Sequence, residues 1–104
     1  MRRGEVWWVR FPRPVGRRPA VLVSRNQAYR VRAAVTVVPL TQTIRRIPVE
    51  VPLGPAEGIP RKSVANADNL VTVPKVLVEE YLAALSPSQL EAVEQAIKFA
   101  LALP

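Results

Sequence analysis

Ser86-Pro87-Ser88-Gln89-Leu90-Glu91-Ala92-Val93-Glu94-Gln95-Ala96-Ile97-Lys98-Phe99-Ala100-Leu101 is the stretch on which the fold turns. Ser86 and Gln89 have the spacing of a capping box, and Pro87 stands at the first helical position, where its missing N–H costs nothing. Leu90, Val93, Ile97 and Leu101 fall on one helical face, with Glu91, Glu94, Gln95 and Lys98 elsewhere. The pattern predicts a helix of about four turns that packs this face on a sheet.

Upstream of Ser86 the hydrophobic period is two. Glu5-Val6-Trp7-Trp8-Val9-Arg10-Phe11 reads as a strand stopped by Pro12. Residues 12–19, with three prolines and a glycine, are expected to be irregular. Ala20 to Ser24 is a short strand apolar enough to be buried on both faces, and Arg25 to Arg30 a polar connection. Val31 to Leu40 is the longest strand signal; Pro39 cannot donate to a ladder and marks a strand end or an edge. Thr41 to Arg46 is a polar turn, and Ile47 to Leu53 an edge strand carrying Pro48 and Pro52. Gly54 to Pro60 is loop, and Ser63 to Val73 makes two short strands around Asn66-Ala67-Asp68-Asn69. Lys75 to Leu85 fits either a helical turn or a strand. Strands first and one helix last predict a single α+β, mainly β domain over residues 1–104, built as a small antiparallel barrel.

Composition narrows the chemistry. The 104 residues contain no Cys and no His, which excludes disulfides, thiolate nucleophiles, Cys/His zinc sites and any imidazole base. The apolar runs fall short of the ~20 residues of a membrane span, so a cytoplasmic protein is the expectation. Net charge is +7, and it is one-sided: residues 1–50 hold 11 Arg against Glu5 and Glu50, a balance of +9. A basic half on a small domain suits nucleic acid or an acidic protein partner.

Four arginines sit in or beside the predicted turns, Arg13 and Arg17 in the first and Arg45 and Arg46 in the second. They are candidate phosphate ligands, since guanidinium is a planar, bidentate partner for phosphate and prolines stiffen the first turn. Arg18 lies at the mouth of the second strand, pinned by Pro19. Trp7 and Trp8 face opposite ways on a strand: one is expected in the core, the other could stack a base or fill an interface. Asn66, Asp68 and Asn69 read as a turn and Glu79-Glu80 as solvated surface.

At these motifs the chain resembles the MazF/PemK family of toxin–antitoxin ribonucleases over nearly its whole length. Arg3-Gly4-Glu5-Val6-Trp7 resembles the family's opening strand, and Gly16-Arg17-Arg18-Pro19-Ala20-Val21-Leu22-Val23-Ser24 its arginine–proline motif. Val37-Val38-Pro39-Leu40-Thr41 resembles the motif that ends in a functional Thr or Ser. Ile47-Pro48-Val49-Glu50-Val51 and Ser63-Val64-Ala65-Asn66-Ala67-Asp68-Asn69-Leu70 are similar to the later strands. The resemblance implies an SH3-like barrel with a C-terminal helix, shared with the CcdB branch, and a homodimer. It implies a toxin that is a metal-independent endoribonuclease on single-stranded RNA, with no cofactor. Attack of a ribose 2′-OH on the adjacent phosphate would leave 2′,3′-cyclic phosphate and 5′-OH ends. Arg18 and Thr41 inherit the catalytic positions, and an acidic MazE-like antitoxin is the implied partner. A guanidinium pKa above about 12 suits Arg18 to charge stabilisation rather than to general-base work. Arg10, a short first loop, Val71 and Pro74 depart from the family pattern. Two other readings of the same chain are a CcdB-like DNA gyrase poison and a non-catalytic nucleic-acid-binding barrel.

Overall fold

The period-two segments become seven antiparallel strands in the computed structural model, which describes residues 1–104. They are β1 (Glu5–Arg10), β2 (Arg17–Leu22), β3 (Ala34–Thr41), β4 (Glu50–Leu53), β5 (Ser63–Asn66), β6 (Val71–Pro74) and β7 (Val78–Ala84). A one-turn helix α1 (Ala28–Val31) lies between β2 and β3 and takes in Val31, so the strand expected from Val31 begins only at Ala34, and α2 (Pro87–Ala100) closes the chain. The sheet runs β4-β5-β3-β2-β1-β7, with β6 also on β3, so β4 is an edge as Pro52 requires, though it begins at Glu50 rather than Ile47 and leaves Pro48 in the turn before it. This is the expected mainly β, α+β architecture, and the ambiguous segment from Lys75 to Leu85 holds both readings, a 3-10 turn at Lys75–Leu77 followed by the strand β7.

Both faces of the sheet are covered. Val6, Val21, Val38 and Leu40 join Val93 and Ala96 of α2 in the larger core, while Val9, Ala20, Leu22, Val35 and Val37 join Tyr29 and Phe11 in a second one. Ala20-Val21-Leu22 therefore reads as an unbroken apolar run because neighbouring residues enter different cores. The capping box forms: Ser86 Oγ accepts from Gln89 N at 3.3 Å, and Gln89 Oε1 accepts from Ser86 N at 3.0 Å. Leu101 falls beyond the last turn of α2 and is 51% exposed, so Ala96, Ile97 and Ala100 complete the buried stripe instead.

Two proline expectations need correction. Arg17, Arg18 and Pro19 are not irregular; they belong to β2 and pair with Arg10, Val9 and Trp8 of β1. The reason is directional. Val23 N donates to Thr36 O at 3.0 Å, so odd-numbered β2 residues aim their N–H at β3. Pro19, of the same parity, lacks a donor only on the β3 side and leaves the β1 ladder intact. Pro39, likewise, is neither at a strand end nor on an edge but buried inside β3. Thr36 N donates to Ser24 Oγ on the β2 side at 2.8 Å, so Pro39 would aim an N–H at the opposite edge. There the partner changes from β6 (Val37↔Val71) to β5 (Leu40↔Ala65) around the 3-10 turn Ala67–Asn69. The missing donor falls where the ladder is already interrupted.

That interruption is the expected turn: Asn66 Oδ1 accepts from Asp68 N at 2.9 Å. No helix is long and apolar enough to cross a membrane.

Candidate functional site

The rungs between β2 and β3 stop at Ala20↔Pro39. Pro19 has no N–H to give Leu40, and β3 turns instead to β5 through Leu40↔Ala65 and Thr41↔Val64. The two strands fork at this point. A cavity of about 430 Å³ opens there, lined by Arg17, Arg18 and Pro19 of β2, by Leu40, Thr41, Gln42 and Thr43, and by Trp8 of β1. Ile59, Pro60, Arg61 and Ser63 form the remaining wall. The register that pairs 20 with 39 and 21 with 38 sets 18 against 41 two rungs on, so Arg18 and Thr41 belong to facing strands of one cleft.

Their states suit an anion. Arg18 is half-buried and takes no part in any ion pair or side-chain hydrogen bond of the structure, so its fork of donors is available. Thr41 Oγ1 accepts from Thr43 N at 3.2 Å, which orients the hydroxyl and leaves its own hydrogen free to donate outward. The lining holds three guanidiniums and no carboxylate, a set that favours a phosphate over a divalent cation.

Arg17 is engaged differently. It faces Arg10 directly across the β1–β2 ladder, an unfavourable like-charge pair. Glu79 of β7 relieves it, receiving Arg10 Nε at 3.0 Å and Arg17 Nε at 3.3 Å, while Glu80 takes Arg17 Nη2 at 2.7 Å. The Arg10 hydrogen bond, reinforced by the charges of Arg10 and Arg17, holds the Glu79 carboxyl below its ordinary pKa despite some desolvation. Glu79 and Glu80 are thus paired groups rather than free solvated acids. The Arg17 guanidinium also lies over the Trp8 ring, its carbon 4.7 Å from the centroid.

The other three arginines divide. Arg13 sits exposed in the loop between β1 and β2 and Arg45 in the loop after β3, and neither lines the cavity. Arg46 borders an adjoining cavity of about 530 Å³ that shares Ser63 with the first. The Glu50 carboxylate shapes their loop, accepting from Arg45 N at 3.0 Å and from Arg46 N at 2.7 Å, with Arg46 in the left-handed region at φ 59°. Neither tryptophan is fully buried: Trp7 packs against the second core and edge-on to Tyr81 at 6.0 Å, and Trp8 faces the cavity.

Arg61 is the cavity residue that sequence reasoning missed. Ser63 Oγ donates to its carbonyl at 2.9 Å, and buried Ile59 anchors the turn on the other side. The signal was the one used for the first loop, an arginine held by an adjacent proline, here Pro60-Arg61.

The model of the PemK-like, MazF-like toxins of type II toxin–antitoxin systems matches residues 2–101. A protein named probable endoribonuclease MazF5, from Mycobacterium tuberculosis, is 39% identical over 100 residues, covering 94% of this chain and 90% of the relative. Endoribonuclease MazF1 of Mycobacterium bovis is 36% identical over 102 residues, 98% of this chain and 93% of the relative. Among solved structures, Mycobacterium tuberculosis toxin MazF-mt6 matches with a TM-score of 0.88 at 28% identity, over 96% of this chain and 98% of that one. An endoribonuclease from a mycobacterial species, solved in complex with its cognate antitoxin, matches with a TM-score of 0.86 at 35% identity, over 100% of this chain and 97% of that one. With this fold, this cleft and these relatives, the chain belongs to the PemK-like, MazF-like family of type II toxin–antitoxin toxins.

Proposed function

We propose that this MazF-family endoribonuclease toxin cuts single-stranded RNA at the fork between β2 and β3, without a metal and by attack of a ribose 2′-OH on the adjacent phosphorus. The 2′-oxygen–phosphorus bond forms as the bond to the 5′-oxygen breaks, and the proton lost by the 2′-OH balances the one gained by the leaving 5′-oxygen. The products carry a 2′,3′-cyclic phosphate and a 5′-OH. Arg18 stabilises the charge that grows on the non-bridging oxygens, and Thr41 donates its free hydroxyl hydrogen to one of them. Holding the chain in line supplies much of the remaining acceleration. Arg61 takes a neighbouring phosphate, and Arg13, Arg17, Arg45 and Arg46 contact the backbone as it leaves the cleft.

The observation that supports this reading is the convergence of unpaired Arg18 and the oriented hydroxyl of Thr41 on one carboxylate-free cavity. Family membership favours ribonuclease chemistry over the gyrase poison and the inert barrel. The toxin acts in the cytoplasm as a homodimer, and exposed Phe99, Leu101 and Leu103 at the end of the chain support the dimer. An acidic MazE-like antitoxin restrains it, in keeping with the antitoxin complex of a relative and with the basic half of this chain.

The test is purified protein with end-labelled single-stranded RNA of varied sequence in EDTA. Discrete cuts with cyclic-phosphate ends are expected. Intact RNA throughout, or cutting that appears only when a divalent ion is restored, would overturn the reading.

A further inference from the structure

Trp8 is the aromatic residue that the phosphate chemistry does not use. Trp7, its neighbour, is occupied: it packs against the second core, meets Tyr81 edge-on at 6.0 Å and donates Nε1–H to Glu5 Oε1 at 2.9 Å. Trp8 has the opposite orientation and lines the cavity beside Arg18 and Thr41. Its ring is covered by the flat guanidinium of Arg17, 4.7 Å from the centroid. That guanidinium is held from behind by Glu80 at 2.7 Å and Glu79 at 3.3 Å, and Glu79 is shared with Arg10.

A planar cation on an indole face occupies the space that a planar base would take. Both ion pairs of Arg17 are partly exposed, and such pairs are weak and exchangeable, most readily for a phosphate brought close by binding. An unstacked base on a tryptophan face is a strong, sequence-tolerant contact in single-strand binding. Arg18 is adjacent to Arg17 in β2, Trp8 is the β1 partner of Pro19, and Arg17, Arg18 and Trp8 all line one cavity, so a base flanking the phosphate that Arg18 would hold enters the space beside the ring.

We infer that Trp8 and Arg17 form a nucleobase-stacking subsite for the nucleotide flanking the scissile phosphate, closed in the free protein by Arg17 and opened when RNA draws Arg17 away from Glu79 and Glu80. This rests on the ribonuclease reading and extends it to the grip on the base. Arg17 then moves from the ring to the backbone, so one residue guards the empty site and helps fill it. Glu79 and Glu80 set how readily it leaves.

The chain has two tryptophans, so Trp7→Phe leaves Trp8 as the only indole reporter. The probe is a short RNA spanning a mapped cut, made uncleavable by 2′-deoxy substitution at the attacking ribose. A matched RNA is abasic at the flanking nucleotide. Binding of the first is expected to quench Trp8 emission; the abasic RNA should bind about 10-fold more weakly and leave emission unquenched. Glu79→Gln/Glu80→Gln should tighten binding of the intact RNA several-fold, at the order expected of exposed pairs. Trp8→Leu should raise KM about 10-fold and erase the abasic penalty, and Trp8→Phe should restore it. If the all-ribose RNA is cut, unchanged Trp8 emission on binding of the uncleavable probe, or equal quenching by intact and abasic probes, would overturn the subsite and leave the nuclease standing. RNA that is neither bound nor cut would overturn both, and the abasic comparison needs no change at Trp8.

Discussion

Arg18 and Thr41 stand on facing strands two rungs past Ala20↔Pro39, the last pair of the β2–β3 ladder, and both line the cavity that opens there. A missing backbone donor explains the opening, because Pro19 has nothing to offer Leu40 across the cleft. The arginine–proline motif therefore does two jobs. In the proposed reaction the arginine supplies the charge, and the proline keeps the strands apart so that a phosphate can reach it.

Pro19→Ala tests this directly. The new N–H can extend the ladder to Leu40, a gain of about 1 kcal/mol that roughly offsets the extra freedom of the unfolded chain. Melting temperature should change little, while cleavage should fall by about 10-fold as the cleft narrows, the scale expected of a small displacement of reacting groups. An unchanged rate would show that the fork does not depend on Pro19.

Salt should weaken RNA binding steeply, because arginine–phosphate contacts release counterions. Arg61→Gln should lower the slope of log K against log salt by about 0.7, the single-strand value for one phosphate contact. Arg13→Gln, outside the cavity, should change the slope less. Equal slopes for the wild type and Arg61→Gln, read by fluorescence anisotropy, would remove Arg61 from the interface.

Glu50 accepts three backbone hydrogen bonds from Arg45 and Arg46, so it orders the loop that follows Thr41. Glu50→Ala should cost about 1 kcal/mol in denaturant unfolding, the net worth of a hydrogen bond where water can take over the exposed donors. KM should rise more than kcat falls, since in the proposed reaction the loop holds RNA rather than reacting with it. A variant with normal stability and normal KM would contradict this role.

Tyr29 supplies a pH dependence of stability. Its burial, only partly offset by hydrogen bonding at Ser24 and by the positive charge of Arg3, raises the phenol from 10.0 to about 12. The folded state thus keeps the proton between those values while the unfolded chain loses it. The contribution is complete below pH 10 and disappears as pH rises through 12, a loss of roughly 2–3 kcal/mol. Tyr29→Phe should flatten the stability profile across that window relative to wild type; parallel profiles would assign the alkaline loss elsewhere.

The succession of strands and the terminal helix were readable because each rests on local pattern, period two and a capping box, whereas Arg18 and Thr41 stood out as a pair only through the resemblance to the MazF/PemK family. The fate of individual side chains was less so. Pro19 and Pro39 are tolerated inside strands because of which edge each missing N–H faces, and that depends on partners far along the chain. Glu79 and Glu80 read as solvated until β7 lies beside β1 and brings them to Arg10 and Arg17. Arg61 was hidden by its distance in sequence from the other arginines. The wall it forms exists only when the turn at Ile59–Ser63 folds against the end of β3.

The most direct measurement is single-turnover cleavage of a mapped RNA in EDTA by wild type, Arg18→Ala, Thr41→Val and Thr41→Ser, with circular dichroism confirming that each is folded. The account predicts a loss of about 10²–10³-fold for Arg18→Ala, a smaller loss for Thr41→Val, and recovery in Thr41→Ser, where the hydroxyl donor returns. Folded Arg18→Ala protein that cuts the same RNA at the wild-type rate would contradict it.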